Sequence, residues 1–348
     1  MRNFKKVLLE SLAFFVIITG ISAITIYYFF NTETQYYQDV DYRNSLKGTI
    51  DCVIIGSSDG LAGFVPSIIN NKLNCSCYNL CGASLSLNGR IELLKEEIDR
   101  NPIETIIVNV CDDDLIYDIE THNAEGDTLL LPRIDGNNKR FKYFSENVLI
   151  KDYPYVYAQY MQNGFKAIVN YNKKSAVDYE ALGWHKKEAN NIFLSDEEIK
   201  HSFLMCNRIV EKKGNRSRLL ELIELCQSRN IRVVLVNLPI SESRIWQNKN
   251  YDDLKKIFEN VAKRKNCIFM DLNLIKNREQ IINDRESFAD QMHLSIQGAK
   301  ASTELFCDVL KKNDAGENIS DMFYDSYDEA IKHFEYYEIY QKLIQEQK

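Results

Sequence analysis

The chain holds nine cysteines but no Cys-x-x-Cys pair, and only five histidines in 348 residues. Cys75, Cys77 and Cys81 lie close together, yet no histidine accompanies them and zinc-site spacing is missing. No metal or other cofactor is called for, and most of the thiols read as small buried hydrophobes. Excess positive charge is lacking too. The net charge is −7, with no basic stripe beyond the N-terminus, so nucleic acid is not an expected partner. No internal repeat is visible, which sets repeat architectures aside.

What is present is ordinary globular material, 45% apolar and 27% charged. This length buries a sizeable core, as one large domain or two small ones. The N-terminus carries Arg2, Lys5 and Lys6, and from Ser11 to Phe30 no charged residue occurs. About 20 apolar residues suffice to cross a hydrocarbon core, so one transmembrane helix is expected within 1–30. Early basic residues orient its start to the cytoplasm. Residues 31–48 then form a tether and the main domain is extracytoplasmic, with membrane lipid as a partner. A cleaved signal peptide is the competing reading, but the apolar run continues past Ala23. Nine thiols sit uneasily with an oxidising compartment, where cysteines pair.

The central stretch is Asp51-Cys52-Val53-Ile54-Ile55-Gly56-Ser57-Ser58-Asp59-Gly60. Its first half has the length and branching of a buried parallel strand. Its second half forces a tight turn, so a hydroxyl is held at the carboxyl end of a first strand. Further strands are expected at Ser76–Leu80, Glu104–Val110, Ile231–Leu238 and Cys267–Leu272. Helices are expected at Ser84–Arg100, Arg216–Arg229, Tyr251–Lys265 and Ser295–Lys311. This alternation implies parallel crossovers and a three-layer sandwich within 49–312. Residues 115–203 break the pattern and read as a cap or insertion. A C-terminal helical tail, amphipathic from Asp321 onward, fills 313–348.

A second anchor is Asp290-Gln291-Met292-His293. Three residues apart at the mouth of a helix, the carboxylate and the imidazole face one side of a turn. A carboxylate at Nδ1 leaves Nε2 free to take a proton from a serine hydroxyl.

Together these blocks resemble the SGNH (GDSL-like) hydrolases. Gly56-Ser57-Ser58 stands where that family has Gly-Asp-Ser, which makes Ser58 the nucleophile. Asn79-Leu80-Cys81-Gly82 stands at its second block, which makes the Gly82 N–H an oxyanion donor beside that of Ser58. Asp290 and His293 match its closing Asp-x-x-His. The resemblance implies a flavodoxin-like α/β/α sandwich with a five-stranded parallel sheet and a catalytic set Ser58, His293 and Asp290. It is nearest to the membrane-tethered branch, which includes D-alanyl-lipoteichoic acid biosynthesis proteins and companions of membrane-bound O-acyltransferases. One departure matters: Cys111-Asp112-Asp113-Asp114 replaces Gly-x-Asn-Asp, so Asp113 takes the place of an amide oxyanion donor. An ionised carboxylate only accepts, and it repels developing negative charge.

Gly56-Ser57-Ser58-Asp59-Gly60 also fits the Gly-x-Ser-x-Gly elbow of α/β-hydrolases. That elbow follows several strands, whereas only an apolar segment and a tether precede Ser58. His122, His201 and His333 lack a partner in sequence, and His185 after Gly183-Trp184 is a candidate cap residue. The run Asp112–Asp114 lacks the alternating spacing of a cation loop. Two functions are expected. One is a membrane-anchored serine esterase or O-acyltransferase that acts through an acyl-serine on a cell-surface polysaccharide or teichoic-acid-like polymer. The other is a degenerate accessory protein of the same fold that binds polymer or a membrane-bound O-acyltransferase.

Overall fold

A computed structural model describes residues 2–29, 40, 42–116, 124–156, 158–159, 181–190, 210–212, 214–276, 278–283 and 286–346; within these, the side chains of 2, 3, 22–29, 125, 137, 343, 344 and 346 are not described. Most of the expected tether, much of the insertion, His122 and His201 lie outside this set.

Five short buried runs form one sheet: β1 Cys52–Ile55, β2 Cys77–Asn79, β3 Thr105–Asn109, β4 Arg232–Asn237 and β5 Ile268–Asp271. Their order is β2-β1-β3-β4-β5 and every neighbouring pair is parallel. The order reverses between β1 and β3. The crevice outside their carboxyl ends is therefore the switch point where ligands of such sheets bind.

The helices, in chain order, are α1 Arg2–Phe29, α2 Ser58–Gly63, α3 Pro66–Leu73, α4 Leu87–Arg100 and α5 Asp113–Ile116. Then come α6 Ala124–Leu130, α7 Asn137–Asn147, α8 Asn215–Gln227, α9 Glu242–Trp246 and α10 Tyr251–Lys265. The last are α11 Arg278–Ile281, α12 Ile296–Asp314, α13 Tyr327–Ala330 and α14 Tyr337–Glu346.

Strand residues alternate between two cores. Val53, Ile55, Ile106, Val108, Val233 and Leu235 pack with Leu93, Leu94, Leu222 and Phe258 from α4, α8 and α10. Ile54, Ile107, Val234, Val236 and Met270 face the other way, onto Ile69 of α3 and Phe306 and Val309 of α12. With both faces covered, the strands carry near-continuous apolar runs. Each such fully buried side chain stabilises the fold by about 1.5–3 kcal/mol.

Several expected elements change at their ends. The helix expected from Ser84 begins at Leu87, because Ser84 takes a left-handed backbone (φ 52) and Ser86 caps the helix by accepting the Gly89 N–H. The tail is several short pieces instead of one helix. A 3-10 turn Ser320–Met322 precedes α13, another at Ile331–His333 follows it, and α14 comes last. The Glu242 carboxylate accepts the N–H groups of Glu335 and Tyr336, and Trp246 stacks on Tyr340, so these pieces dock on α9.

The crossing expected at Ser11–Phe30 is not supported. Among the described residues no helix is long and apolar enough to cross a membrane. Among the described side chains of α1, Leu12, Phe14, Phe15, Val16 and Ile17 are exposed, and Lys5, Lys6 and Glu10 lie in its first part.

Candidate active site

The turn after β1 is shaped by what lies beneath it. A Cβ on Gly56 stands 2.6 Å from Asn109 Cβ, and one on Gly60 stands 2.6 Å from Cys81 Sγ. Glycine at both positions therefore lets the turn settle onto the ends of β2 and β3. Asn79 fixes it further: Nδ2 donates to the Gly60 carbonyl at 2.9 Å and Oδ1 accepts the Cys81 N–H at 3.1 Å. Ser57 precedes α2, and Ser58 is its first residue. The Ser57 hydroxyl lies 3.9 Å from Cys111 Sγ.

The second anchor is a closed turn. Phe288 and Leu294 form an antiparallel bridge, and the Ala289 N–H donates to the His293 carbonyl at 2.9 Å. Asp290 Oδ1 accepts the N–H groups of Met292 and His293, each at 2.9 Å. The imidazole Nδ1 sits 2.8 and 2.7 Å from the two Asp290 oxygens. Burial pulls the Asp290 carboxyl upward, but the Met292 N–H and the His293 imidazole outweigh it, and the net is below the ordinary value. A carboxylate at Nδ1 holds the proton on that nitrogen and leaves Nε2 as the basic one. Ser295 starts α12 by accepting the Gly298 N–H. A Cβ on Gly298 meets the Ser287 carbonyl oxygen at 2.0 Å, so the close packing that seats this turn requires glycine.

The fold brings the two anchors together. His293 Nε2 lies 4.0 Å from Oδ1 of Asp59, the residue that follows Ser58. Both atoms are buried, and neither has a hydrogen-bond partner among the described residues. The Ser58 hydroxyl is therefore not bonded to His293. Burial pushes the Asp59 carboxyl up to about 7, and the neighbouring charge of Asp113 adds to this.

A third wall follows β3. Burial and Asp112 push Asp113 up to about 6, against the pull of Arg244. Arg244 reaches Asp112 at 3.2 Å and Asp113 at 3.5 Å. Asp114 is held by the buried Arg90, which donates Nη1–H to Oδ2 at 2.9 Å. The Gly82 N–H donates to the Gly56 carbonyl at 3.2 Å, so it is engaged inside the fold. Among the described residues, no group of three or more His, Cys, Asp or Glu is placed to hold a metal ion.

Residues 181–190 of the insertion strap the two anchors. The Trp184 Nε1–H donates to the Ala62 carbonyl at 2.8 Å, and the His185 N–H to the Leu61 carbonyl at 3.0 Å. The Ile296 N–H then donates to Lys187 at 2.8 Å, and Lys187 Nζ lies 3.7 Å from Asp290. His185 thus lies beside α2, while His333 stacks on Tyr324 away from the site. Sequence reasoning missed Asp59, Asn79 and Arg244. Asp59 was signalled only by its adjacency to Ser58, Asn79 only by its place in the second block, and Arg244 by nothing local.

Neither a protein-family profile nor a curated protein sequence matches the chain. Among solved structures it overlaps a GDSL-like lipase from Bacteroides thetaiotaomicron, with TM-score 0.38 and 8% identity over 80% of this chain and 98% of that one. It likewise overlaps a lipase/acylhydrolase from Enterococcus faecalis, with TM-score 0.37 and 9% identity over 76% and 97%. These are partial overlaps.

Proposed function

We propose that the chain is a serine esterase or O-acyltransferase. Ser58 attacks an acyl carbonyl, His293 Nε2 takes its proton, and Asp290 holds the resulting imidazolium. Water or a hydroxyl of a sugar or polyol then releases the acyl group. The observation that carries this reading is the arrival of an Asp290-clamped imidazole beside α2, with Nε2 4.0 Å from the residue after Ser58. A small movement of either turn brings serine and imidazole within reach, as catalytic contacts often tighten only with substrate.

A serine-directed fluorophosphonate tests it. The full chain labels at one site, and Ser58→Ala abolishes that labelling. Equal labelling of both chains removes Ser58 from the reaction.

The finer reading is a cell-surface polymer as acyl carrier, with α1 lying at a lipid surface and a membrane-bound O-acyltransferase as partner. Support for α1 comes from its exposed apolar side chains, Phe14 and Phe15 among them, beside the basic Lys5 and Lys6. Co-sedimentation of the full chain with anionic lipid vesicles supports this reading, and a chain that stays in the supernatant refutes it.

A second reading, an accessory protein with a degenerate site, is favoured by one set of contacts. Gly82 has its N–H engaged, and Asp113 offers a carboxylate where an amide would stabilise an oxyanion. Absence of any fluorophosphonate adduct selects it.

A further inference from the structure

We infer that Arg133 is a positioning residue for the oxyanion side of the site: its guanidinium, seated against Gly82, polarises the Cys81–Gly82 peptide and strengthens the N–H that Gly82 offers to an acyl oxygen. The inference rests on the serine reading above and gives the insertion, where Arg133 lies, a part in that reaction.

The geometry carries it. Beyond β2 the chain keeps pairing with the end of β1: the Leu80 N–H donates to the Ile54 carbonyl at 2.8 Å and the Gly82 N–H to the Gly56 carbonyl at 3.2 Å. Arg133, 5% exposed, takes the two intervening carbonyls. Its Nη1–H donates to Cys81 and its Nη2–H to Leu80, each at 3.0 Å. A Cβ on Gly82 would collide with Arg133 Nη1, so the guanidinium itself requires glycine there. Arg133 is held from behind. It ends the 3-10 turn Leu131–Arg133, and Leu131 packs in the same core as Leu85. Arg43, fully buried at the end of the segment read as a tether, donates Nη2–H to the Arg133 carbonyl and Nη1–H to Glu97 at 2.6 Å.

The Cys81 carbonyl and the Gly82 N–H belong to one conjugated peptide unit. A charged donor on that carbonyl oxygen draws electron density from the amide nitrogen, so the N–H becomes a stronger donor in turn. This offsets the loss at Asp113, whose ionised carboxylate donates nothing. The bond from Gly82 to Gly56 is at the long end of the usual range. An acyl oxygen in the crevice therefore shares that N–H as Ser58 Oγ adds to the carbonyl carbon, a three-centre bond of a common kind.

The sequence supplies the probe. Cys81-Gly82 is the one Cys-Gly step in the chain, so the full chain made with carbonyl-¹³C cysteine and ¹⁵N glycine gives a single coupled amide signal, that of this peptide. In wild type both nuclei resonate downfield of an ordinary Cys-Gly peptide. Arg133→Gln moves both upfield, and Arg133→Lys, a cation without the fork, moves them less. Acetylation of Ser58 by p-nitrophenyl acetate is timed in the same proteins. Its saturated rate falls about tenfold in Arg133→Gln, short of a lost oxyanion donor because the N–H is weakened and not removed. The half-saturating ester concentration stays the same, and Arg133→Lys recovers part of the rate. A signal that stays put in Arg133→Gln, or acetylation of that folded variant at the wild-type rate, overturns the inference. If neither variant folds, the wild-type signal decides, and an ordinary position overturns it. Unmoved signals with acetyl-Ser58 formed sink this inference alone. Shifted signals with no acetyl-Ser58 in wild type sink the serine reading, and with it the part given to Arg133.

Discussion

Two carboxylates lie buried at the carboxyl edge of the same sheet, and the fold treats them in opposite ways. Asp271, the last residue of β5, receives the Tyr251 hydroxyl on both oxygens at 2.8 Å. Asn237 Nδ2 and the Asn273 N–H add bonds to it at 3.2 Å. Asp59 has an oxygen with no partner and three aspartates nearby. Burial raises both, Asp271 to about 6 and Asp59 to about 7; bonds from Tyr251 and Asn273 pull the first back, whereas the second has one such bond, with Cys111, against the like charges of three aspartates. The difference separates a carboxylate with both oxygens bonded within the fold from one with an oxygen left unpaired among the described residues. Buried polar groups are normally satisfied, and the exceptions gather at functional sites.

The largest effect that tests this contrast is Asp271→Ala. It removes the buried acceptor of the Tyr251 hydroxyl and of bonds from Asn237 Nδ2 and the Asn273 N–H, so unfolding free energy should fall by about 3–5 kcal/mol. Urea titration with an unchanged slope checks this, and a loss under about 1 kcal/mol erases the contrast.

Asp59→Asn should move stability the other way at alkaline pH. Unfolded, this carboxyl ionises near its ordinary 3.8; folded, it holds its proton to about 7. Folding therefore takes up a proton between those values, and wild-type stability falls as pH rises through them. At pH 8 the variant should gain up to about 4 kcal/mol over wild type, and below pH 4 the gain should vanish. Denaturation midpoints at the two pH values read it directly.

The smallest effect is at Asp113. Asp113→Asn turns an acceptor that repels negative charge into a potential donor. The rate of Ser58 labelling should rise about tenfold, below the full value of an oxyanion donor because the side chain also faces Arg244. An unchanged rate places Asp113 outside the oxyanion position.

Much of the architecture was legible because its signals are local. Asp51–Ile55 reads as a strand from its own branched residues, and Ser295 with Gly298 announces α12. The roles assigned to Ser58, Asp290 and His293 came from motif spacing, and the structure lays their turns on one edge. What no window of sequence showed is distance across the fold. Asp59 meeting Nε2, Asn79 reaching back to Gly60, and residues 181–190 strapping α2 to α12 all depend on strand order. The tail misled for a related reason. Its amphipathic period is real, but capping by Glu242 and stacking on Trp246 cut it into short pieces.

The central claim is that Ser58 and His293 act as one unit, and acetylation by p-nitrophenyl acetate measures it most directly. The full chain is quenched at short times and its adduct located by peptide mass, in wild type and in His293→Gln. The account predicts an acetyl group on Ser58 in wild type, formed at least about 10³-fold more slowly in the variant. An adduct on another residue, or a Ser58 adduct formed equally fast without His293, contradicts it.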